Sequence, residues 1–119
     1  MPAFNFKLQF AESVANGKKH QTIRKKRKNR PRVGQTAYCF TGMRTLNCRL
    51  LRKGEIVKVA SVRIECSGVL LYGSPSITYK PDLDSFAKKD GFISWAGMLH
   101  WFEAQHGLPF IGDLIEWKP

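Results

Sequence analysis

The feature that most restricts the fold is a change of hydrophobic period partway along the chain. Across residues 34–73 apolar side chains recur in short runs, "TAYCFTG", "LNCRLLRKG", "EIVKVASVRIEC" and "GVLLYG", punctuated by Gly42, Gly54, Gly68 and Gly73. In the third run Ile56, Lys58, Ala60, Val62 and Ile64 alternate with Val57, Val59, Ser61, Arg63 and Glu65. A period of two belongs to a half-buried strand, because successive side chains point to opposite faces. After Pro81 the period lengthens to that of a helix. "DLDSFAKKDG" offers Asp82 or Asp84 as a cap, Leu83, Phe86 and Ala87 as an apolar face, and Gly91 as a stop. "SWAGMLHWFEAQHG" follows, with Ser94 as N-cap, Trp95, Met98, Leu99 and Phe102 on one stripe, Trp101 partly off it, and Gly107 as the stop. Strands grouped before helices predict an α+β domain, and strands at this spacing predict a small, partly closed barrel.

Both ends of the chain add to this frame. In "AFNFKLQF" Phe4, Phe6, Leu8 and Phe10 alternate with Asn5, Lys7 and Gln9, which predicts a first strand. "FAESVANG" reads as a short helix with Phe10 and Val14 four apart, closed by Asn16 and Gly17. "HQTIR" predicts a short strand and "DLIEW" a last one. No apolar residue separates Ile23 from Pro31, so residues 24–32 are expected to form a basic loop or arm. At 119 residues the chain is expected to be a single domain over residues 1–119, with a core that needs neither disulfide nor metal.

The net charge of +11 is unevenly placed. Residues 1–63 carry sixteen Lys or Arg against Glu12 and Glu55, whereas residues 64–119 carry four against seven carboxylates. So concentrated a basic surface attracts a polyanion, with counterion release as the usual gain. Lys18, Arg24, Lys25, Lys26, Arg27, Lys28, Arg30 and Arg32 are the expected phosphate ligands of an RNA or nucleotide partner. The competing reading is a charged run that is merely solvated.

Several classes are disfavoured. The apolar stretches are too short for a membrane span, and the N-terminus lacks the order of a signal peptide, so no membrane partner is expected. Cys39, Cys48 and Cys66 show no CxxC spacing, and buried free thiols in a reducing cytoplasm are expected. His100 and His106, six apart on a helix, point to different faces, so neither a metal nor another cofactor is expected, and the chain is expected to act as a monomer.

One stretch does more than carry charge. "GKKHQTIR", residues 17–24, fits G-x-K-x-x-T-x-R, a pattern that resembles the ASCH domain family, a branch of the PUA-like β-barrels. The Phe-rich first strand, "VGQTAYCFTG", "FAKKDGF" and "WFEAQHG" fall where that family has its other elements, so the resemblance covers nearly the whole chain. It implies a small mixed β-barrel with flanking short helices and an RNA-associated role. A group of similar size removes acyl groups from cytidine N4. Its Lys and Thr match Lys19 and Thr22, and its acidic residue falls by position at Asp90, where those enzymes carry the longer Glu.

The residue types fit such chemistry. A threonine hydroxyl becomes a nucleophile only when a base takes its proton, and a lysine serves once neighbouring cations and burial depress its pKa. Lys18, Arg24 and Lys25 supply such cations around Lys19, while Asp90 can orient the amine. A turn would bring Lys19 and Thr22 into hydrogen-bond reach, whereas a fully extended strand separates them by roughly 10 Å. Arg24 can hold a phosphate or Asp90 bidentately. A binding module needs less: cations on the backbone and an aromatic such as Tyr38 or Tyr72 for stacking. A metal-independent ribonuclease, with Lys19 and Arg24 near the phosphate and His20 as base, is a third reading.

Overall fold

The structure is a computed structural model and describes residues 2–119. The chain runs β1 (Ala3–Phe6), α1 (Leu8–Ala15), β2 (Gln21–Arg24), β3 (Thr36–Thr41), β4 (Arg49–Glu65), β5 (Gly68–Leu71), α2 (Lys80–Lys89), α3 (Trp95–His106) and β6 (Phe110–Trp117). The six strands form one mixed sheet in the order β1-β3-β4-β6-β2, with β5 also on β4. β1 and β3 pair in parallel, and the other ladders are antiparallel. None of the described helices is long and apolar enough to cross a membrane.

The α+β expectation holds, but the sheet is open where a partly closed barrel was expected. β1 and β2 stand at the two ends of the strand path. A side chain rather than a ladder bridges them: the Arg24 guanidinium donates from Nη2 to the Asn5 carbonyl at 2.7 Å and lies 4.8 Å from the centre of the Phe6 ring. Register shifts at Cys39/Phe40 and at Ile56/Lys58 interrupt the regular ladders, and such irregularities bend a sheet.

β4 corrects a second expectation. Two strands separated at Gly54 are instead one strand of 17 residues, whose first part pairs with β3 and whose second part pairs with β5 and β6. Gly54 marks a close approach, not a turn. A Cβ there would meet the Lys118 carbonyl oxygen at 2.6 Å and Trp117 Cδ1 at 2.9 Å, so only glycine lets the end of β6 lie against β4. The first strand is shorter than its alternation implied. Phe4 and Phe6 point inward, Leu8 is 78% exposed, and Phe10, Ala11 and Val14 form the buried face of α1.

The helices follow the 3.6 period, with one exchange of caps. Ser94 Oγ accepts the Gly97 N–H at 3.2 Å, as an N-cap should. Neither Asp82 nor Asp84 caps α2, whose N-cap is Tyr79 with Pro81 in the first turn. Asp84 instead accepts the Trp95 N–H at 2.8 Å, tying α2 to the start of α3.

Two apolar clusters result. One places Leu83, Phe86, Met98 and Phe102 of α2 and α3 on Ile23, Val62, Ile64, Phe110 and Leu114 of the sheet. The other packs Phe10 and Val14 of α1 against Phe4, Phe6, Ile56, Ile115 and Trp117. Phe92 and Trp101 touch both clusters, so they mark the seam between them.

Candidate functional site

The site is assembled at that seam. α1 ends in a tight reversal: Gly17 has φ 84°, the Lys18 N–H is taken by Asn16 Oδ1 at 2.9 Å, and the Lys19 N–H by the Ser13 carbonyl at 2.9 Å. The reversal leaves Lys18 exposed and turns Lys19 inward, where it is only 3% exposed. β2 follows and pairs with β6, Thr22 opposite Ile115 and Arg24 opposite Asp113. Residues two apart share a strand face, which brings Arg24 Nε to Thr22 Oγ1 at 2.8 Å.

Asp90 arrives from the other side, as the residue that ends α2. Lys19 Nζ donates to the Asp90 carbonyl at 2.6 Å and lies 3.4 Å from its Oδ1. Gln21 Nε2 donates to the same Oδ1 at 3.3 Å. The approach depends on Gly91, whose φ of 91° is left-handed and whose missing Cβ would stand 3.0 Å from both Lys19 Cδ and Phe10 Cδ1. The ordinary structural role for a carboxylate at this position is a solvated helix end; Asp90 is instead 4% exposed.

Burial dominates the electrostatics of the pair. It holds the Lys19 amine below its usual 10.5, against the opposing pull of the Asp90 charge. It also holds the Asp90 carboxyl above its usual 3.8, against Lys19 and Gln21. Each group is thus moved toward its neutral form. Taking two charges out of water is often not repaid by their attraction, so such a pair is weak evidence for stability and stronger evidence for a site. Burial, then Arg27, brings Arg24 down to about 10, which leaves it charged at neutral pH.

Around these groups lies a pocket of about 310 Å³, at the small end of the range for ligand sites. Its walls include Phe6, Phe10, Phe92, Trp101 and Phe102, and its polar lining includes Lys19, Thr22, Arg24 and Asp90. Phe10 meets Phe92 edge-on at 5.3 Å, and Trp101 stands 5.6 Å from Phe92. Lys19 Nζ lies 5.2 Å from the centre of the Phe10 ring, where a cation is favoured. The Thr22 oxygen accepts from Arg24, so its own proton remains available to a base or ligand.

Thus Lys19, Thr22, Arg24 and Lys25, from one short stretch, line one cavity with Asp90, which is distant in the chain. The pairings differ from the expected Lys–Thr contact: Lys19 engages Asp90, and Thr22 engages Arg24. The remaining basic residues belong elsewhere. Arg27, Lys28, Arg30 and Arg32 line a wider concavity of about 740 Å³ with Pro2, Asn29, Pro31 and Gln35. This arm is partly fastened. Arg30 donates to both oxygens of the buried Asp113 at 3.0 and 3.2 Å, Lys26 donates to Ser61 Oγ at 3.2 Å, and Arg27 lies 4.4 Å from the centre of the Phe4 ring.

Other candidates fall outside the pocket. His20 sits 3.9 Å from a Glu116 oxygen and is not among the lining residues, which removes the base of the ribonuclease reading from the cavity. Tyr38 is half-buried on β3 and Tyr72 is exposed, and neither lines the pocket. Only Cys39 is a buried thiol; Cys48 and Cys66 are exposed, contrary to the expectation. Sequence reasoning missed the aromatic wall, apart from the displacement of Trp101 from its helix stripe, because Phe6, Phe10 and Phe92 read as ordinary core residues. Among the described residues no group of three or more His, Cys, Asp or Glu gathers as metal ligands would. Comparison with protein-family models, curated proteins and solved structures finds no match.

Proposed function

We propose that the seam pocket receives the base of a nucleoside or RNA nucleotide, and that the chain is an ASCH-like, PUA-like module whose basic arm holds neighbouring phosphates. The observation that carries this reading is the buried Lys19–Asp90 pair set among aromatic rings, with the Thr22 hydroxyl and the Arg24 guanidinium in the same pocket. Flat rings accept a base in stacking contact, and convergent donors and acceptors read its edge. The test is titration of cytidine, uridine, adenosine and guanosine into the protein by calorimetry. Binding of at least one nucleoside that is lost in Thr22→Ala is expected. Failure of all four to bind at millimolar concentration contradicts the reading.

The shared location of Lys19, Thr22 and Asp90 also supports a hydrolytic use on N4-acylcytidine. This step requires the Lys19 amine to leave Asp90 for the Thr22 hydroxyl, which then attacks the acyl carbon while neutral Lys19 accepts its proton. The C–N bond then breaks, the proton passes to the departing cytidine amine, and water hydrolyses the acyl-threonine ester to release the acid. Lys19 must lose its proton first, and burial allows that below its usual 10.5. The rate of cytidine release from N4-acetylcytidine is therefore expected to rise with pH through an inflection below 10.5. Lys19→Ala and Thr22→Ala are each expected to abolish turnover, and Asp90→Glu tests whether the shorter carboxylate limits reach. Nucleoside binding without turnover in wild type leaves a binding module alone.

A further inference from the structure

We propose that the mouth of the pocket is a phosphate subsite built by Lys7, Lys25 and His106, so that the ligand is a phosphorylated nucleoside and not a free one. The nucleoside half of this statement rests on the pocket reading above; the phosphate half stands on the mouth itself. The three residues come from separate parts of the fold. Lys7 links β1 to α1, Lys25 follows the last residue of β2, and His106 ends α3, yet all three line the same cavity. All three are exposed, whereas Lys19 and Asp90 are buried, so the charges are layered from an ion-paired interior to an open cationic rim.

The rim is ordered. Lys7 Nζ donates to Gln105 Oε1 at 3.1 Å and lies 5.5 Å from the centre of a Trp101 ring. The His106 ring rests against Trp101 at 5.9 Å, Phe102 at 5.8 Å and Phe110 at 4.8 Å. Burial, followed by the charges of Lys25 and Lys7, holds His106 below its usual 6.5, which places both lysines near its ring. Among the lining residues Asp90 is the sole carboxylate, and it is already engaged by Lys19 and Gln21. Lys7 and Lys25, gathered without a counter-charge, disfavour protonation of His106, and an oxyanion seated among the three relieves that repulsion with charge-assisted hydrogen bonds. With Gln105 Oε1 accepting from Lys7, its amide N–H groups remain as further donors. A base laid against the face of this aromatic wall, formed by Phe10, Phe92 and Trp101, would direct its sugar and phosphate toward this rim.

The experiment compares cytidine, cytidine 5′- and 3′-monophosphate and inorganic phosphate on the intact chain at low salt. One monophosphate is expected to bind about tenfold tighter than cytidine, the gain of a single good charge-assisted contact set. The double variant Lys7→Ala/Lys25→Ala should erase that advantage, read as the ratio of monophosphate to cytidine affinity measured on the same variant. Inorganic phosphate alone should shift the His106 imidazole resonances saturably and raise its pKa, a readout that works even if no nucleoside binds. Saturable phosphate binding without nucleoside binding would keep the subsite and reject the base pocket. Equal affinities for cytidine and both monophosphates, or His106 resonances untouched by phosphate, overturn the proposal. A phosphorylated trinucleotide distinguishes the source of the phosphate: affinity above that of the monophosphate that is lost on Lys28→Ala/Arg32→Ala assigns it to an RNA chain, and equal affinity assigns it to a free nucleotide.

Discussion

Lys19 and Lys28 belong to the same basic run, yet one is 3% exposed against a carboxylate and the other stands in solvent on the arm. The difference lies in what surrounds each. Lys19 is turned inward by the reversal after α1 and is met by Asp90, Phe6 and Phe10, whereas residues 25–30 are all exposed. An exposed cation costs the fold almost nothing and acts through its field. A buried one is retained against desolvation and is fixed by the partners it meets. Equal charge in the sequence therefore conceals two unequal devices, a positioned site and an electrostatic surface.

The sharpest way to break the comparison is to unpair the buried charges. Asp90→Ala leaves Lys19 without its counter-charge and is expected to destabilise the fold by about 3–5 kcal/mol. The double variant Lys19→Met/Asp90→Leu should recover most of that loss in urea denaturation while abolishing nucleoside binding. A double variant as unstable as the single one would show that the pair holds the fold together and is not retained for a ligand. Gly91→Ala comes next. It forces a Cβ at a left-handed φ and against Lys19 Cδ, and is expected to lower stability by about 1–3 kcal/mol, with a lower melting temperature and weaker cytidine binding.

The arm yields smaller effects, in two grades. Arg30→Ala orphans both oxygens of Asp113, which is 1% exposed, and should destabilise by about 1–2 kcal/mol in the same denaturation assay. Replacing Lys26, Lys28 and Arg32 together by Ala should change stability by about 0.5 kcal/mol or less. The same triple variant should reduce the slope of log affinity against log salt for single-stranded RNA by about 2. An unchanged slope would detach the arm from RNA binding, and a large loss of stability would make it part of the core.

The sequence disclosed these regions unequally. Element types were readable almost throughout, because Phe4/Phe6, Ile56/Ala60/Val62/Ile64 and Met98/Phe102 keep the strand or helix period of the surfaces they bury. What escaped is long-range. Gly54 reads as a break, although it is the contact point for β6; the open sheet, with Arg24 reaching from β2 to β1, rests on contacts between distant strands that no local pattern encodes. Within the site, Lys19, Thr22 and Asp90 were identifiable from motif and position. The aromatic wall and the Lys7 and His106 rim were not, because a ring lining a cavity and a ring in a core have the same periodicity, and the cavity exists only where the two clusters meet.

The central claim is that recognition occurs in the seam pocket and not along the arm. Its most direct test is a chemical-shift map of the isotope-labelled protein titrated with cytidine, read at the Trp101 indole, the Phe10 and Phe92 rings and the backbone amides. The account predicts saturable shifts at Trp101, Phe10, Phe92, Thr22 and Asp90, with the amides of residues 27–30 and of Arg32 unmoved. Shifts confined to residues 27–32, or a response that fails to saturate and vanishes with added salt, would contradict it.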